Sequence, residues 1–364
     1  MKQPFLLRNC EHSLFSSLTI SSICIAVTDR ETELVIAFRE GSLVVFDVVV
    51  DNDNNHFTCV PKRSVKNSSS SKTIEVTQMF AIHDLDLLIC LFDHSHDGFI
   101  KILSLSELKE LNILKNQKNQ PLKKCKCMTL KKDHGEFVLA VAASNHSRVT
   151  IFRANSASCM FTYSTEIQME RVVKCVSWMR EGILCIGSDT EYSLVKDFDL
   201  VQKRNEFNNP TLQKLSLTRP PQETACCVPL NGNNVYLLWN ETFGIIVNSK
   251  GKPTCSKGVS WNSTPKSISF WKTNYLVASL GDVVEIRKLP CYDEDMERGA
   301  DSLIQHLSIK DDIISTSSQH FLDLEKYVMD ESQGYESYSF RGKDRLLFLA
   351  STHRVYVLVT NNDV

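Results

Sequence analysis

The chain has 364 residues, of which 42% are hydrophobic and 23% charged, with 41 lysines and arginines against 43 aspartates and glutamates. A chain of that length buries most of the surface its unfolded form exposes, so it needs neither disulfides nor a structural metal as staples. The formal charge of −2 excludes a global basic field and the sequence-wide attraction to nucleic acid or anionic lipid that comes with one. An electrostatic partner would have to use a local patch.

The 13 cysteines, an odd number, run from Cys10 to Cys291. Cys24, Cys90, Cys175 and Cys185 sit inside apolar runs, where a free thiol acts as a small hydrophobe; this fits a reducing compartment rather than a secreted disulfide frame. Cys125/Cys127 and Cys226/Cys227 lack zinc spacing and read as core thiols. Leu14 to Val27 is apolar, but Arg8, Glu11 and His12 precede it and it is too short to span a bilayer. It reads as one or two strands, and the sequons at Asn145 and Asn240 are expected to stay unmodified.

One unit recurs along the chain: a short apolar run, a turn rich in Gly, Asp, Asn or Ser, and a second apolar run. The first copy is Glu33 to Asp47, joined by Arg39-Glu-Gly-Ser in the manner of a hairpin. The others are Leu85 to Leu105 through Asp97-Gly98, Glu136 to Arg153, Gly182 to Val195, Asn234 to Asn248, Asn274 to Arg287, and Arg345 to Val359. Measured from Leu34 through Leu87, Val138, Ile183, Val235, Tyr275 and Leu346, the intervals run from 40 to 53 residues, with a last one of 71. The last is lengthened by a charged segment from Tyr292 to Arg298 and an insert around Asp330 to Asp344, both expected to bulge from loops.

Ile74 to Phe80, Val172 to Trp178, Thr224 to Val228 and Ser267 to Phe270 supply a third strand ahead of several hairpins. Leu103 to Leu114 has the apolar spacing of a short helix and fits a strand and a loop equally well. Asp51 to Lys72 is polar and low in complexity, and is expected to be a loop between strands. This spacing predicts an all-β, seven-bladed β-propeller with long loop insertions, over residues 1–364 as one domain. A pair of β-sandwiches carries the same alternation, but even spacing without a linker favours a ring.

Catalytic strings are missing: there is no Gly-rich phosphate loop, no Gly-x-Ser-x-Gly elbow and no His-Glu-x-x-His. Asp93-His-Ser-His-Asp97-Gly98 is the most metal-like string, but a hairpin turn needs Asp and Gly there for backbone reasons alone. Asp293-Glu-Asp lacks the spaced oxygen ligands and central Gly of a calcium loop. A channel-metal hydrolase would need Asp, Glu or His repeated at several inner strands, and none recurs. No enzyme activity, no cofactor, no metal and no small-molecule substrate are expected.

From Lys115 to Lys132 the chain carries no acidic residue. Within it Lys118, Lys123, Lys124, Lys126, Lys131 and Lys132 are the candidate contacts with a partner or an anionic membrane, where each lysine adds about 1 kcal/mol. A solvated loop with snorkelling lysines is the plain alternative. No aromatic residue interleaves the lysines, which argues against a nucleic-acid groove.

From Thr224 onward the text resembles the citron homology (CNH) domain family. The likeness rests on Val228-Pro-Leu, on Asn234 to Pro253, on Val259-Ser-Trp261, Thr264-Pro265 and Tyr275-Leu-Val-Ala, and on the alternating strand Val284-Glu-Ile-Arg287. Ile23 to Val27, Leu34 to Phe46 and Gly182 to Leu194 extend it, so that it covers about residues 20–320. Trp261, Phe243 and Tyr275 recur in that family and are expected in the core. The nearest context is the N-terminal propeller of vacuolar-sorting tethers, the Vam6-like subunit of HOPS and the TGF-β-receptor-associated-protein-like subunit of CORVET. The resemblance then implies binding of Rab-type small GTPases or neighbouring tether subunits, from the cytoplasm, on late endosomes, lysosomes or vacuoles. The alternative it leaves open is the regulatory domain of a Rho exchange factor or of Ste20- or citron-type kinases.

Overall fold

A computed structural model describes residues 5–27, 32–51, 56–66, 74–93, 98–133, 135–143, 147–155, 157, 159–179, 182–188, 191–195, 212–216, 223–226, 235–248, 250–253, 258–271, 275–288, 303–309, 313–316 and 347–360. The chain opens with β1 (Phe5–Glu11) and a short helix, α1 (Ser13–Ser17). Four-strand runs follow. The first is β2 (Ile20–Val27), β3 (Thr32–Phe38), β4 (Leu43–Asp51) and β5 (His56–Val65). The second is β6 (Glu75–Ile82), β7 (Leu87–Asp93), β8 (Phe99–Ser104) and β9 (Glu110–Ile113), and the third is β10 (Cys125–Asp133), β11 (Glu136–Ala143), β12 (Arg148–Asn155) and β13 (Thr162–Gln168). Next come β14 (Val173–Trp178), β15 (Leu184–Ser188), β16 (Glu191–Val195) and β17 (Leu212–Ser216), then β18 (Glu223–Cys226), β19 (Val235–Asn240), β20 (Phe243–Asn248) and β21 (Val259–Ser260). The last run of four is β22 (Ser267–Trp271), β23 (Tyr275–Ser279), β24 (Val283–Lys288) and β25 (Leu303–Ser308), and the chain closes with β26 (Ile313–Thr316), β27 (Leu347–Ser351) and β28 (Val355–Thr360).

The architecture is all-β and propeller-like, with very little helix. Where seven separate blades are expected, five stand as separate four-stranded sheets, and one eight-stranded sheet has the order β2-β3-β4-β5-β1-β28-β27-β26. That larger sheet exists because β1 pairs with β28 on one side, from Phe5↔Thr360 to Cys10↔Val355, and runs briefly parallel to β5 on the other, at Cys10↔Phe57 and Glu11↔Thr58. The first strand of each run packs on the first strand of the next, from β2 through β6, β10, β14, β18 and β22 to β26, and β26 returns to β2.

Middle strands are apolar on both faces because a sheet neighbour covers each face. On β3, Leu34, Ile36 and Phe38 join a cluster with Phe348 and Val357, while Val35 and Ala37 point the other way, onto Met79 and Leu88 of the next sheet. On β11, Leu139 and Val141 face the sheet before, and Val138 and Ala140 face Trp178 and Leu184 of the sheet after. Single hydrogen bonds then cross the junctions. Arg63 Nε donates to the Leu105 carbonyl at 2.7 Å, Met128 N–H to Gln78 Oε1 at 2.8 Å, Trp178 Nε1 to the Val138 carbonyl at 3.1 Å, and Tyr192 Oη to the Trp239 carbonyl at 2.9 Å. Gln305 clamps the first strand: its Oε1 accepts from Phe5 N–H and its Nε2 donates to the Phe5 carbonyl, both at 3.0 Å.

Two sequence expectations need correcting, and one left open is decided. Leu14 to Val27 is not all strand. His12 Nδ1 accepts from Leu14 N–H at 3.1 Å, and Phe15 packs edge-on against Phe46, which winds Ser13–Ser17 into a helical turn before β2. The polar stretch from Asp51 to Lys72 contains β5, paired along β4 from Leu43↔Val65 to Asp51↔His56. Leu103 to Leu114 is strand, turn and strand: Leu108 N–H donates to the Ser104 carbonyl at 2.9 Å, and buried Leu105 and Leu108 account for the helix-like spacing. The segments at Tyr292 to Arg298 and Asp330 to Asp344 lie outside the described residues.

Two charged networks are buried. Glu285 is 1% exposed and accepts from Arg287 Nε at 3.0 Å and meets His306 Nε2 at 2.9 Å, which gives the Val284-Glu-Ile-Arg287 string its physical meaning. Glu33 is held by both terminal nitrogens of Arg63, at 3.1 and 2.6 Å, with Lys62 at 3.3 Å. Of the nine cysteines whose side chains are described, all free, seven are buried, including Cys24, Cys90, Cys175 and Cys185. Cys10 and Cys59 sit 2.8 Å apart, sulfur to sulfur, at the seam between β1 and β5.

Glu285→Ala strands Arg287 without its carboxylate and is expected to cost about 3 kcal/mol, read by urea unfolding. At Gly98 an added Cβ would overlap the Cys125 carbonyl, so Gly98→Ala is expected to lower stability by about 2 kcal/mol or more, with thermal melting as the check. Burial pushes the Cys24 and Cys125 thiols up to about 12. Among the cysteines whose burial is described, native-state alkylation near neutral pH is therefore expected to label exposed Cys159 first and to leave Cys24, Cys90 and Cys125 unmodified.

Candidate interaction surface

The lysine run begins in a hairpin rather than an open loop. Leu114 is buried, and Leu122 packs against the same cluster, so the two ends of the hairpin are anchored. Between them Asn116 N–H donates to the Gln120 carbonyl at 2.8 Å, Asn119 N–H to the Asn116 carbonyl at 2.9 Å, and Leu122 N–H to the Leu114 carbonyl at 2.8 Å. The Asn116 side-chain oxygen accepts from Lys118 N–H at 2.9 Å and from Gln120 N–H at 3.0 Å. Asn119 takes the left-handed conformation (φ 59°) that closes the turn, one that asparagine tolerates better than most residues. The base is stitched down by bridges from Lys115 to Pro121 and from Lys123 to Phe99, and by Cys125 N–H on the Gly98 carbonyl at 2.8 Å.

The same turn is built once more. After β20, Asn248 N–H donates to the Lys252 carbonyl at 2.9 Å and the Asn248 side chain accepts from Lys250 N–H and Lys252 N–H. Gly251 (φ 73°) stands where Asn119 stands, and Val247 bridges Pro253 as Lys115 bridges Pro121. The Asn-x-Lys-Asn-Gln-Pro and Asn-x-Lys-Gly-Lys-Pro strings are thus one turn chemistry, and this likeness was visible in the sequence.

Lys115, Lys118, Lys123 and Lys126 are exposed and Lys124 is half-buried. Among the described residues none of these five has an ion pair, whereas Lys62, Arg63, Lys101, Arg148 and Arg153 each meet a carboxylate. The other two lysines are elsewhere. Lys131 is buried with Nζ 4.6 Å above the Trp178 ring, and Lys132 Nζ sits 2.9 Å from Asp84 and 5.6 Å above the Phe137 ring. They lie at the far end of β10, ~20 Å from Lys126 at the usual rise per residue. The structure therefore places Lys115, Lys118, Lys123, Lys124 and Lys126 on the hairpin and its base, and sets Lys131, stacked on Trp178, and Lys132, paired with Asp84, apart at the other end of β10.

Beside the hairpin Leu111 is 52% exposed in a bulge of β9, a feature the sequence reading missed. Cys125 and Cys127 point to different partners, the Leu122 and Lys174 carbonyls. Of the metal-like string, residues 94–97 lie outside the described set, as does Asp293-Glu-Asp; among the described residues no cluster of three His, Cys, Asp or Glu stands together. Trp261 is buried edge-on against Trp239, and Tyr275 packs against Phe5, as expected of core residues. Phe243 departs from that expectation: it is 47% exposed, lying over Gly258, where an added Cβ would strike its ring.

The solved structure of the AfRom2 CNH domain shares this fold, with a TM-score of 0.57 at 14% sequence identity over 98% of each chain. A GTPase-activating protein of Dictyostelium discoideum is 26% identical over 129 residues, which make up 35% of this chain and 11% of that protein. The chain thus matches a small part of that relative's length. The CNH domain family matches residues 30–291, a span that runs from β3 through β24 and takes in both Asn-capped hairpins. The chain belongs to the CNH domain family.

Proposed function

We propose that this CNH domain is the partner-binding propeller of a vesicle-tethering subunit of HOPS or CORVET type, holding a Rab-type small GTPase or a neighbouring tether subunit at endosomal, lysosomal or vacuolar membranes. The family match supports the coarser part of this reading, because CNH domains are protein-interaction modules that often engage small GTPases. A stiff ring of sheets suits that work, since it offers loops and outer strands as broad contact surfaces without moving its core. In the same reading residues 1–364 form one propeller and the eight-stranded sheet is two blades sharing an edge, which makes seven. Seven apolar clusters among the described residues, one at each junction between strand runs, support that count.

A second reading is a CNH regulatory domain in a Rho exchange factor or a Ste20- or citron-type kinase. The GTPase-activating relative favours it, because its name ties a matching segment to a regulator of GTPases.

A pull-down of the chain on a panel of Rab-type and Rho-type GTPases separates the two. Retention of a GTP-loaded Rab-type member at least about tenfold above its GDP form, a difference of about 1.4 kcal/mol, is the expected result. Retention of Rho-type members alone would transfer the assignment to the second reading, and no retention across the panel would remove both.

A further inference from the structure

The hairpin from Lys115 to Lys126 has a chemistry that the GTPase reading does not use. It carries five cations, all lysines and none paired with a carboxylate among the described residues: Lys115 and Lys118 on the turn fixed by the Asn116 cap and pinned at Leu114 and Leu122, and Lys123, Lys124 and Lys126 where the chain runs from its base into β10. Recognition of one phosphate or carboxylate in a fixed pose favours arginine, whose planar fork bonds in pairs, and a socket that excludes water. Neither is found here among the described residues. Nucleic-acid strands favour aromatic platforms between the cations, and this segment has none. What five clustered lysines along an ordered hairpin and its base, four of them exposed, produce is a concentrated positive field with no preferred contact atom, and an extended anionic plane answers it best.

The remainder of the chain sharpens the effect. The chain carries −2 overall, so without these five charges the rest carries −7 (−2 less 5). An anionic plane therefore attracts the hairpin and repels the body, which orients the domain as well as holding it. Because the turn is already ordered, little loop entropy is lost on contact.

We infer that the Lys115–Lys126 hairpin is a docking prong for the anionic headgroup surface of a lipid bilayer. The inference rests on the membrane-associated reading above, but its element, its ligand chemistry and its test are separate from GTPase binding. Lysines facing such a surface contribute about fivefold each in partitioning, and the contribution fades beyond a Debye length.

Vesicle flotation of the full chain tests this directly, with phosphatidylcholine vesicles compared against vesicles holding about 30% phosphatidylserine. The expected result is binding to the anionic vesicles only, lost as salt rises, and weakened by about a hundredfold in the Lys115→Gln/Lys118→Gln/Lys123→Gln variant. Lys252→Gln, on the sister turn, is expected to bind as the unaltered chain does. Equal binding to neutral vesicles, salt-independent binding, or an unchanged triple variant overturns the proposal, as does capture by an acidic protein surface without capture by vesicles. Should the triple variant misfold, the salt titration and the vesicle comparison on the unaltered chain still decide. The lipid-free GTPase pull-down, repeated on the triple variant, shows which reading has failed: GTPase retention with vesicle loss leaves the partner assignment intact.

Discussion

The second strand of each run has to satisfy two neighbours at once. A sandwich strand turns one face to the core and one to water, but a strand such as β3 or β11 presents apolar side chains on both faces, because another sheet packs on either side. Successive residues therefore belong to different interfaces, and Ile36 and Ala37 are neighbours in sequence with no shared core. Each fully buried aliphatic side chain contributes about 1.5–3 kcal/mol, and the molecule spreads that gain over many small junctions rather than one centre. The ring is held by repetition.

Polar side chains then fix the register that apolar packing leaves loose. Trp178 and Tyr192 each reach across a junction to a backbone carbonyl of an adjacent sheet, and Gln305 grips both backbone groups of Phe5. The buried carboxylates work within sheets. Glu285 joins β24 to itself through Arg287 and to β25 through His306, while Glu33 ties β3 to β5 through Arg63. Such groups add specificity of pairing more than net stability, since desolvation offsets much of the attraction.

What the sequence made legible follows from this physics. The central hairpins were readable because both strands are apolar throughout and end at turn residues, as in Glu136 to Arg153. Outer strands were not. β5, which β1 covers only at Phe57 and Thr58 and which carries Lys62 and Arg63, and the edge strand β13, with its mixture of exposed and half-buried positions, carry no strong period. The helix α1 was hidden by its size: one turn fixed by a single histidine cap leaves no periodic trace. The lysine run looked continuous on paper because charge says nothing about where a strand begins. Once β10 starts at Cys125, the same residue type serves as a free cation at Lys126 and as a ring-stacked, buried cation at Lys131. The Asn116 turn could have been found from its echo at Asn248, since both strings place asparagine, lysine and proline at matching steps.

The pairing of β1 with β28 sets the order in which the molecule can be finished. Phe5 and its partner Thr360 stand 355 residues apart in the sequence, so during synthesis β1 waits on the order of tens of seconds before β28 exists to pair with it. During that interval β5 can offer it only the short parallel contact at Cys10 and Glu11. A nascent chain in that state holds β1 with its β28 side open beside a nearly complete stack of sheets, an added strand edge of the kind on which another chain pairs.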